Sequence, residues 1–295
     1  MQRRSLDTAG FWMMLGLAVL FSVNNVLIKL GNGGLQPAFF AGARSAVALV
    51  ALSGWMVWRG ISFRPDLWRE GLMAGLLFSS EFLFLFVALD HTSVVHASSI
   101  FYAMPIWLAL AAHFLFPGER LTPVRLLGFL LGFAGVVLSL TGRGGGTGGD
   151  GGLLGDLAAL VAGMSWAGIV VVSRKTRFGQ SAAETQIFWQ VVISAPLLCA
   201  LSPLFGLPLV RDFDALQAVL LLVQGVGVVT VGFVLWFWLI GRYQAGTVAS
   251  FSFLTPVLSA LLGWLLLGEA VGTTTPVALA LLIGGLVLIN RRPRA

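Results

Sequence analysis

The chain has 295 residues, of which 58% are hydrophobic and 10% are charged, and its mean hydropathy is +0.93. This composition excludes a soluble globular protein, because water could not solvate most of the surface. The net charge of +6 does not indicate nucleic-acid binding, since the basic residues lie at the ends of apolar stretches. Cys199 is the only cysteine, which excludes a disulfide framework or a cysteine metal site within one chain.

Apolar stretches in chain order predict ten transmembrane helices and leave little room for a soluble domain. A helix needs about 20 apolar residues to cross the hydrocarbon core. The first stretch is interpreted as a retained helix, because no small-residue cleavage pattern follows it. The predicted spans are 9–29, 36–58, 67–89, 93–116, 121–141, 153–173, 182–204, 213–239, 245–267 and 272–290.

The basic residues predict the orientation. If the N-terminus is cytoplasmic, 14 of the 18 lysines and arginines lie on the cytoplasmic side. Only Lys29, Arg143 and Arg211 lie outside, and Arg44 falls within a span. This asymmetry follows the positive-inside rule, so both termini are predicted to be cytoplasmic.

The second half of the chain repeats the first. The stretch SSIFYAMPIWLALA at 98–111 resembles ASFSFLTPVLSALL at 249–262, which aligns Pro105 with Pro256. Each repeat holds five predicted helices, an odd number, so the second copy must enter the membrane from the opposite side. Inverted repeats of this kind form transporters whose substrate site lies near the midplane between the halves.

A glycine-rich segment divides the chain into two domains. The first repeat covers 1–142, the linker covers 143–152 on the outer side, and the second repeat covers 153–295. The linker lacks the Gly-Lys-Ser/Thr ending of a phosphate-binding loop. It is predicted to be a flexible connection.

Motifs at equivalent places in the repeats resemble the EamA-type branch of the drug/metabolite transporter superfamily. They are Ala88 to Ala97 leading to Pro105, then PGERLTP at 117–123, and in the second copy Thr255-Pro256 and Leu267-Gly-Glu269. The resemblance implies an all-helical, multi-pass bacterial inner-membrane carrier without a cofactor, exporting amino acids or other small metabolites against protons. The YddG amino-acid exporters of this superfamily provide a fold template, although this chain has Leu20-Phe21-Ser22 where they carry Leu-Trp-Ser.

Two ionisable residues, Arg44 and Glu81, lie deep within predicted spans. Charged side chains in a span cost about 2.5–3.5 kcal/mol on insertion scales and usually face the protein interior. Both are placed about 12 Å from the outer end, at roughly 1.5 Å rise per residue. Either they form a structural ion pair, or Glu81 binds a proton or substrate amine while Arg44 contacts a substrate carboxylate.

Helices four and nine are predicted to border the substrate cavity, because each carries polar side chains just before a proline. A proline removes a backbone donor and can open helix carbonyls towards a cavity. His96 is a further candidate for proton coupling, with a hydrogen-bonding helix contact as the alternative. The residues of this group are Ser98, Ser99, Tyr102 and Pro105 on helix four and Ser250, Phe253 and Pro256 on helix nine.

A second polar and aromatic group is predicted nearer the cytoplasmic side, and consists of Trp166, Gln186, Trp189 and Gln190. Aromatic faces with a few amides suit a small amphiphilic solute. Two GxxxG spacings, Gly71 to Gly75 and Gly128 to Gly132, predict tight packing within each half.

Transport is the favoured function, with small-molecule substrates and the lipid bilayer as partners and the oligomeric state open. The main alternative is an integral-membrane enzyme acting on a lipid or lipid-linked substrate. Against it, the sequence carries no HExxH, no GxSxG and no compact His/Asp cluster at a membrane face.

Overall fold

The computed structural model describes residues 7–116, 122–141, 152–243, 251 and 254–290. These residues are almost entirely helical, as the composition predicts. The helices are α1 (Thr8–Gly34), α2 (Pro37–Arg59), α3 (Trp68–His91), α4 (Val94–Phe101), α5 (Met104–Leu115), α6 (Pro123–Thr141), α7 (Gly152–Lys175), α8 (Ala183–Leu201), α9 (Ala215–Leu222), a π-helical segment (Val223–Phe233), α10 (Val234–Arg242), α11 (Leu254–Leu267) and α12 (Thr274–Asn290).

Seven helical stretches in the described residues are long and apolar enough to cross a membrane, and three more are shorter. The short ones are Pro123–Leu138, Leu254–Leu267 and Thr274–Gly285. Each of these stretches overlaps one of the predicted spans. Length and composition therefore support a multi-pass membrane protein.

The predicted span 93–116 is not one helix but two. It breaks at Tyr102 and Ala103, directly before Pro105, which occupies the first turn of α5. Proline cannot donate to the carbonyl four residues back, here that of Phe101, and its ring clashes there. The break that Pro105 predicts is thus present.

The π-helical segment between α9 and α10 was not predicted. Three glycines, Gly225, Gly227 and Gly232, lie within it, and the Thr230 hydroxyl donates to the carbonyl of Gly225, five residues back, at 2.9 Å. Glycine weakens the α-helical preference, and such segments often occur at functional sites.

The bundle has two ends, named here by a residue at each. At the Glu269 end, α1 and α3 finish while α4 and α7 begin, and the Thr92 hydroxyl donates to Asp156 at 3.0 Å. At the Tyr243 end, α1 begins and α10 finishes, and the Tyr243 hydroxyl donates to Asp7, the N-cap of α1, at 2.8 Å. The first helices of the two halves, α1 and α7, therefore run in opposite directions.

The GxxxG glycines pack between the halves as well as within one half. A Cβ added at Gly132 of α6 would lie 2.5 Å from Ile106 of α5, which is packing within the first half as predicted. A Cβ added at Gly75 of α3 would lie 2.6 Å from Ile193 of α8. One added at Gly285 of α12 would lie 2.5 Å from the Gly128 carbonyl oxygen of α6. Small residues allow helix backbones to approach closely in a membrane, and here they join the two repeats.

Gly42 of α2 provides a test of this packing, because a Cβ there would lie 2.7 Å from the backbone nitrogen of Cys199 on α8. Gly42→Ala should push α2 and α8 apart and lower the stability by about 1–3 kcal/mol. Gly54→Ala is the matched control on the same helix, since a Cβ there meets nothing within 4 Å. It should be neutral or stabilising by up to about 1 kcal/mol. Thermal unfolding in detergent measures both, and equal effects would contradict the packing.

Candidate functional site

A small cavity of about 20 Å³, room for about one water molecule, lies between the two halves, on the Tyr243 side of the bundle centre. Its lining comes from α1, the break after α4, α7, α10, α11 and Phe251, which precedes α11. Its lining residues are Met14, Leu17, Ala18, Phe21, Tyr102, Trp166, Trp236, Leu239, Phe251 and Thr255. Its largely apolar lining with a few polar groups is typical of a small-molecule site, but the space is far below the roughly 300–1,000 Å³ of a formed ligand pocket, so a solute enters only if the walls part.

Aromatic rings form one wall of this cavity. Trp166 stacks on Phe101 with ring centroids 5.2 Å apart and an interplanar angle of 17°. Tyr102 meets the same indole edge-on at 5.9 Å, and Trp236 lies 5.7 Å from it. Tyr102 and Trp166, both predicted as site residues, are therefore brought together. Trp236 was missed, since one more tryptophan in an apolar span carries no distinguishing signal.

Asn25 joins α1 to α4, which precedes the break at Pro105, and to α11, which carries Pro256, at the centre of the molecule. Its amide nitrogen donates to the Ser98 hydroxyl of α4 at 3.0 Å and to the Ser259 hydroxyl of α11 at 3.1 Å. Nearby, the Ser22 hydroxyl donates to the Thr255 carbonyl of α11 at 3.1 Å. The first helix is thus tied to each half by buried polar contacts next to the cavity.

Arg44 is completely buried, as its position within a span predicted. One guanidinium nitrogen donates to the Gln224 side chain at 3.1 Å, and the group lies over the Phe82 ring, 3.8 Å from its centroid. Its Nε and Nη2 atoms have no hydrogen-bond partner within the described residues. A desolvated cation–π contact contributes about 2 kcal/mol, but it leaves these two donors unsatisfied.

Glu81 is also buried, but it does not form the proposed ion pair with Arg44. No carboxylate lies within 4.0 Å of the guanidinium in the described part of the chain, where Gln224 takes the hydrogen-bonding position. Sequence places the two residues at the same depth, but it does not fix how the helices are rotated. The direct ion pair is therefore replaced by an Arg44–Gln224 contact, and Glu81 lies farther away, although still near enough for the charges of Arg44 and Glu81 to attract each other.

His96 lies in the first turn of α4, with Nδ1 3.9 Å from the Asp156 carboxylate of α7. Asp156 is completely buried, and the Thr92 hydroxyl donates to it at 3.0 Å. The sequence argument missed Asp156. A single acidic residue near the start of an apolar helix was the available signal.

The Glu269 carboxylate caps the N-terminus of α4. It accepts from the backbone N–H groups of Val94 at 2.8 Å and Val95 at 3.1 Å. Lys29 of α1 lies 4.0 Å from the same carboxylate and also donates to the Leu89 carbonyl at 3.2 Å. An acidic group at a helix N-terminus is favoured by the unpaired N–H groups and the helix dipole. This end of the bundle is thus held by contacts between the halves.

The predicted group around Trp166 is divided in the structure. Gln186 accepts from Ser173 at 3.2 Å and donates to the Ser181 carbonyl at 3.2 Å. Trp189 packs on Gly71 and donates to the Arg64 carbonyl at the Tyr243 end. Neither lines the cavity, because both lie in the first two turns of α8 and have their partners there. The spacing of residues in the sequence shows which of them share a face of a helix, but not which helix packs against that face.

Several other predicted residues have local partners. Gln190 donates to the Gln186 carbonyl of its own helix at 3.1 Å, and Ser99 donates to the Val95 carbonyl at 2.8 Å. Pro256 is buried in the first turn of α11. Ser250 and Phe253 lie outside the described residues, as do the Gly118-Glu119 pair and all of the glycine linker except residue 152.

The EamA-like transporter family model matches residues 8–141 and again residues 153–291. The chain belongs to this family. The expectation from the sequence motifs is confirmed, and the matched ranges cover nearly the whole chain.

Relatives over most of the length carry transporter names. The chain is 30% identical over 275 residues to the probable amino-acid metabolite efflux pump of Escherichia coli, covering 86% of this chain and 85% of that protein. It is 28% identical over 279 residues to the aromatic amino acid exporter YddG of Ancylobacter novellus, covering 92% and 94%. A crystal structure with 23% identity and a TM-score of 0.67 covers 96% of this chain and 98% of that one, and shows the shared fold.

The two tryptophans of the divided group should respond differently to substitution. Trp166→Leu removes an aromatic wall of the cavity, so the apparent affinity for a transported solute should fall about tenfold. Trp189→Leu should leave that affinity unchanged and lower only the stability, because it removes packing on Gly71. Transport in proteoliposomes and thermal unfolding separate the effects. An affinity loss in Trp189→Leu alone would contradict the cavity as the site.

Proposed function

We propose that the protein exports amino acids or similar small metabolites by alternating access. The observation that carries the proposal is the aromatic cavity at the junction of the two halves, lined by Tyr102, Trp166 and Trp236. A solute with an apolar part and a polar group fits such a lining. The names of the relatives, an amino-acid metabolite efflux pump and an aromatic amino acid exporter, support the same substrate class.

The proposed architecture is ten transmembrane helices in two inverted repeats of five, at 1–142 and 153–295. The helix contacts support it, because they are similar when the halves are exchanged: α4 packs on α7, and α11 packs on α1. Likewise α3 packs on α8, and the π-helical segment packs on α2. Pairs such as α2 with α8 and α6 with α12 are unchanged by the exchange. Rocking about these last two contacts would open each end in turn.

The proposed location is the bacterial inner membrane, with both termini and the Tyr243 end in the cytoplasm. The asymmetry of the basic residues supports this orientation. The cavity then lies on the cytoplasmic side of Asn25, while the Glu269 end is closed by its polar contacts. Widening of this cavity towards the Tyr243 end would give an inward-facing state, which suits the loading of an exporter.

A cysteine placed at Thr147 in the glycine linker tests this orientation. In a Cys199→Ser background it should react with a membrane-impermeant maleimide in intact cells. A cysteine at Arg59, where α2 ends, is the matched control and should react only after the inner membrane is opened. The opposite pattern would reverse the orientation.

Arg44 and Glu81 are proposed to serve transport rather than to hold each other. The unsatisfied Arg44 donors suit a substrate carboxylate that arrives when the Phe82 and Phe86 rings move aside. Glu81 is proposed, with His96, to bind the coupling proton. Arg44 and Glu81 are both buried within the helices α2 and α3, so their charges are costly unless the transport cycle uses them.

Transport of labelled amino acids by purified protein in proteoliposomes, with and without a pH gradient, tests the function. A gradient should drive accumulation of at least one amino acid. Glu81→Gln should abolish the response to the gradient and retain exchange of substrate for substrate, which requires no proton cycle. Gln224→Glu is a charge control, because it places a carboxylate beside Arg44 and should inhibit both activities. Folded wild-type protein that transports no member of a broad panel would contradict the proposal.

A further inference from the structure

One titratable pair bridges the two repeats at the Glu269 end. His96 belongs to α4 of the first repeat and Asp156 to α7 of the second, with 3.9 Å between Nδ1 and the carboxylate oxygen. The Asp156 carboxylate is completely buried, whereas the His96 side chain is 17% exposed. A proton can therefore reach the histidine, while the carboxylate stays in a low-dielectric environment.

The packing around this pair makes it sensitive to separation of the halves. Thr92 supplies both a hydroxyl donor to Asp156 and a close contact for Gly155, whose added Cβ would lie 2.9 Å from the Thr92 backbone nitrogen. Beside this pair, the Glu269 carboxylate accepts hydrogen bonds from the backbone N–H groups of Val94 and Val95. The start of α4 is thus held by two acidic residues of the second repeat.

We propose that His96 and Asp156 form a proton-binding site, and that a proton bound there holds the Glu269 end closed. The inference rests on the alternating-access function proposed above. It adds Asp156 as the partner of the histidine and gives the proton a structural effect. The neutral histidine has no charge attraction for Asp156, whereas the protonated one does, across a contact that must part when this end opens.

The sign follows from the charges at this end of the bundle. Protonation of His96 adds a positive charge opposite Asp156, so falling pH favours the closed state and rising pH releases it. The other charged or titratable groups here are Lys29, Glu269, Asp90, His91, Arg211, Asp212 and Asp214, of which Lys29 lies 4.0 Å from Glu269 and Arg211 bonds to Asp90 at 3.3 Å.

A distance measurement between spin labels across this end tests the proposal without any substrate. Labels at Gly33→Cys on α1 and Thr273→Cys after Glu269, in a Cys199→Ser background, report on opening between the repeats. A side chain at Gly33 meets no atom within 4 Å, and Thr273 is exposed. Pulsed electron resonance in lipid nanodiscs at about pH 5 and about pH 8 brackets the histidine transition.

The ratio of the short to the long distance population should fall about tenfold from the acidic to the basic condition, within the range typical of coupled sites. His96→Gln should make the ratio independent of pH, and Asp156→Asn should do the same. His91→Gln, at the same end, and His113→Gln, in α5, should keep the wild-type response. The chain has three histidines, so these two controls cover both of the histidines other than His96.

A pH response that survives in folded His96→Gln protein would overturn the inference, and so would a wild-type ratio that does not change with pH. Folding of each variant is checked by its elution and melting temperature. The export function is assayed separately, by amino-acid exchange at constant pH. Loss of exchange with an intact pH response would contradict the proposed function and leave the proton site standing.

Discussion

The cost of burying polar groups where no water can satisfy them organises this molecule. Within a bilayer, each interior amide, hydroxyl or charge must find its partner inside the protein. The structure meets part of this requirement by contacts between the repeats, while Nε and Nη2 of Arg44 have no partner within the described residues. Asn25 binds serines on α4 and α11, and Arg44 of α2 binds Gln224 in the π-helical segment. In the proposed alternating-access cycle, the contacts between the repeats are the ones that would break and form again.

The apolar packing has the complementary role. Glycines let α2 approach α8 and let α6 approach α12 so closely that an added methyl group would meet backbone atoms. These contacts lie between equivalent helices of the two repeats, and the atoms nearest Gly42 and Gly285 belong to the backbone and to the Cys199 thiol, not to charged side chains. Dispersion contacts of this kind tolerate small rotations without leaving a buried charge unpaired. In the proposed alternating-access cycle, they would provide the axis about which the polar contacts at each end open.

Much of the fold could be predicted from the sequence, because membrane spans depend on composition averaged over some twenty residues. The interruption before Pro105 could be predicted for a similar reason, since proline acts on its own backbone. The partner of Arg44 could not, because depth in a span says nothing about helix rotation. For the same reason, the sequence did not show that Trp166 lies apart from Gln186 and Trp189, or that Asp156 lies opposite His96. The π-helical segment was missed because its hydropathy is that of an ordinary span.

The central claim is that the cavity between the repeats receives the substrate from the Tyr243 end. Leu17→Cys, in a Cys199→Ser background, places a thiol in the cavity wall. A transported amino acid should slow its reaction with a small maleimide about threefold or more, since pocket ligands bury some 70–90% of their surface. Leu154→Cys is the control, because that side chain is exposed at the opposite end and should react at an unchanged rate. A substrate that is transported but leaves the Leu17→Cys rate unchanged would contradict the account.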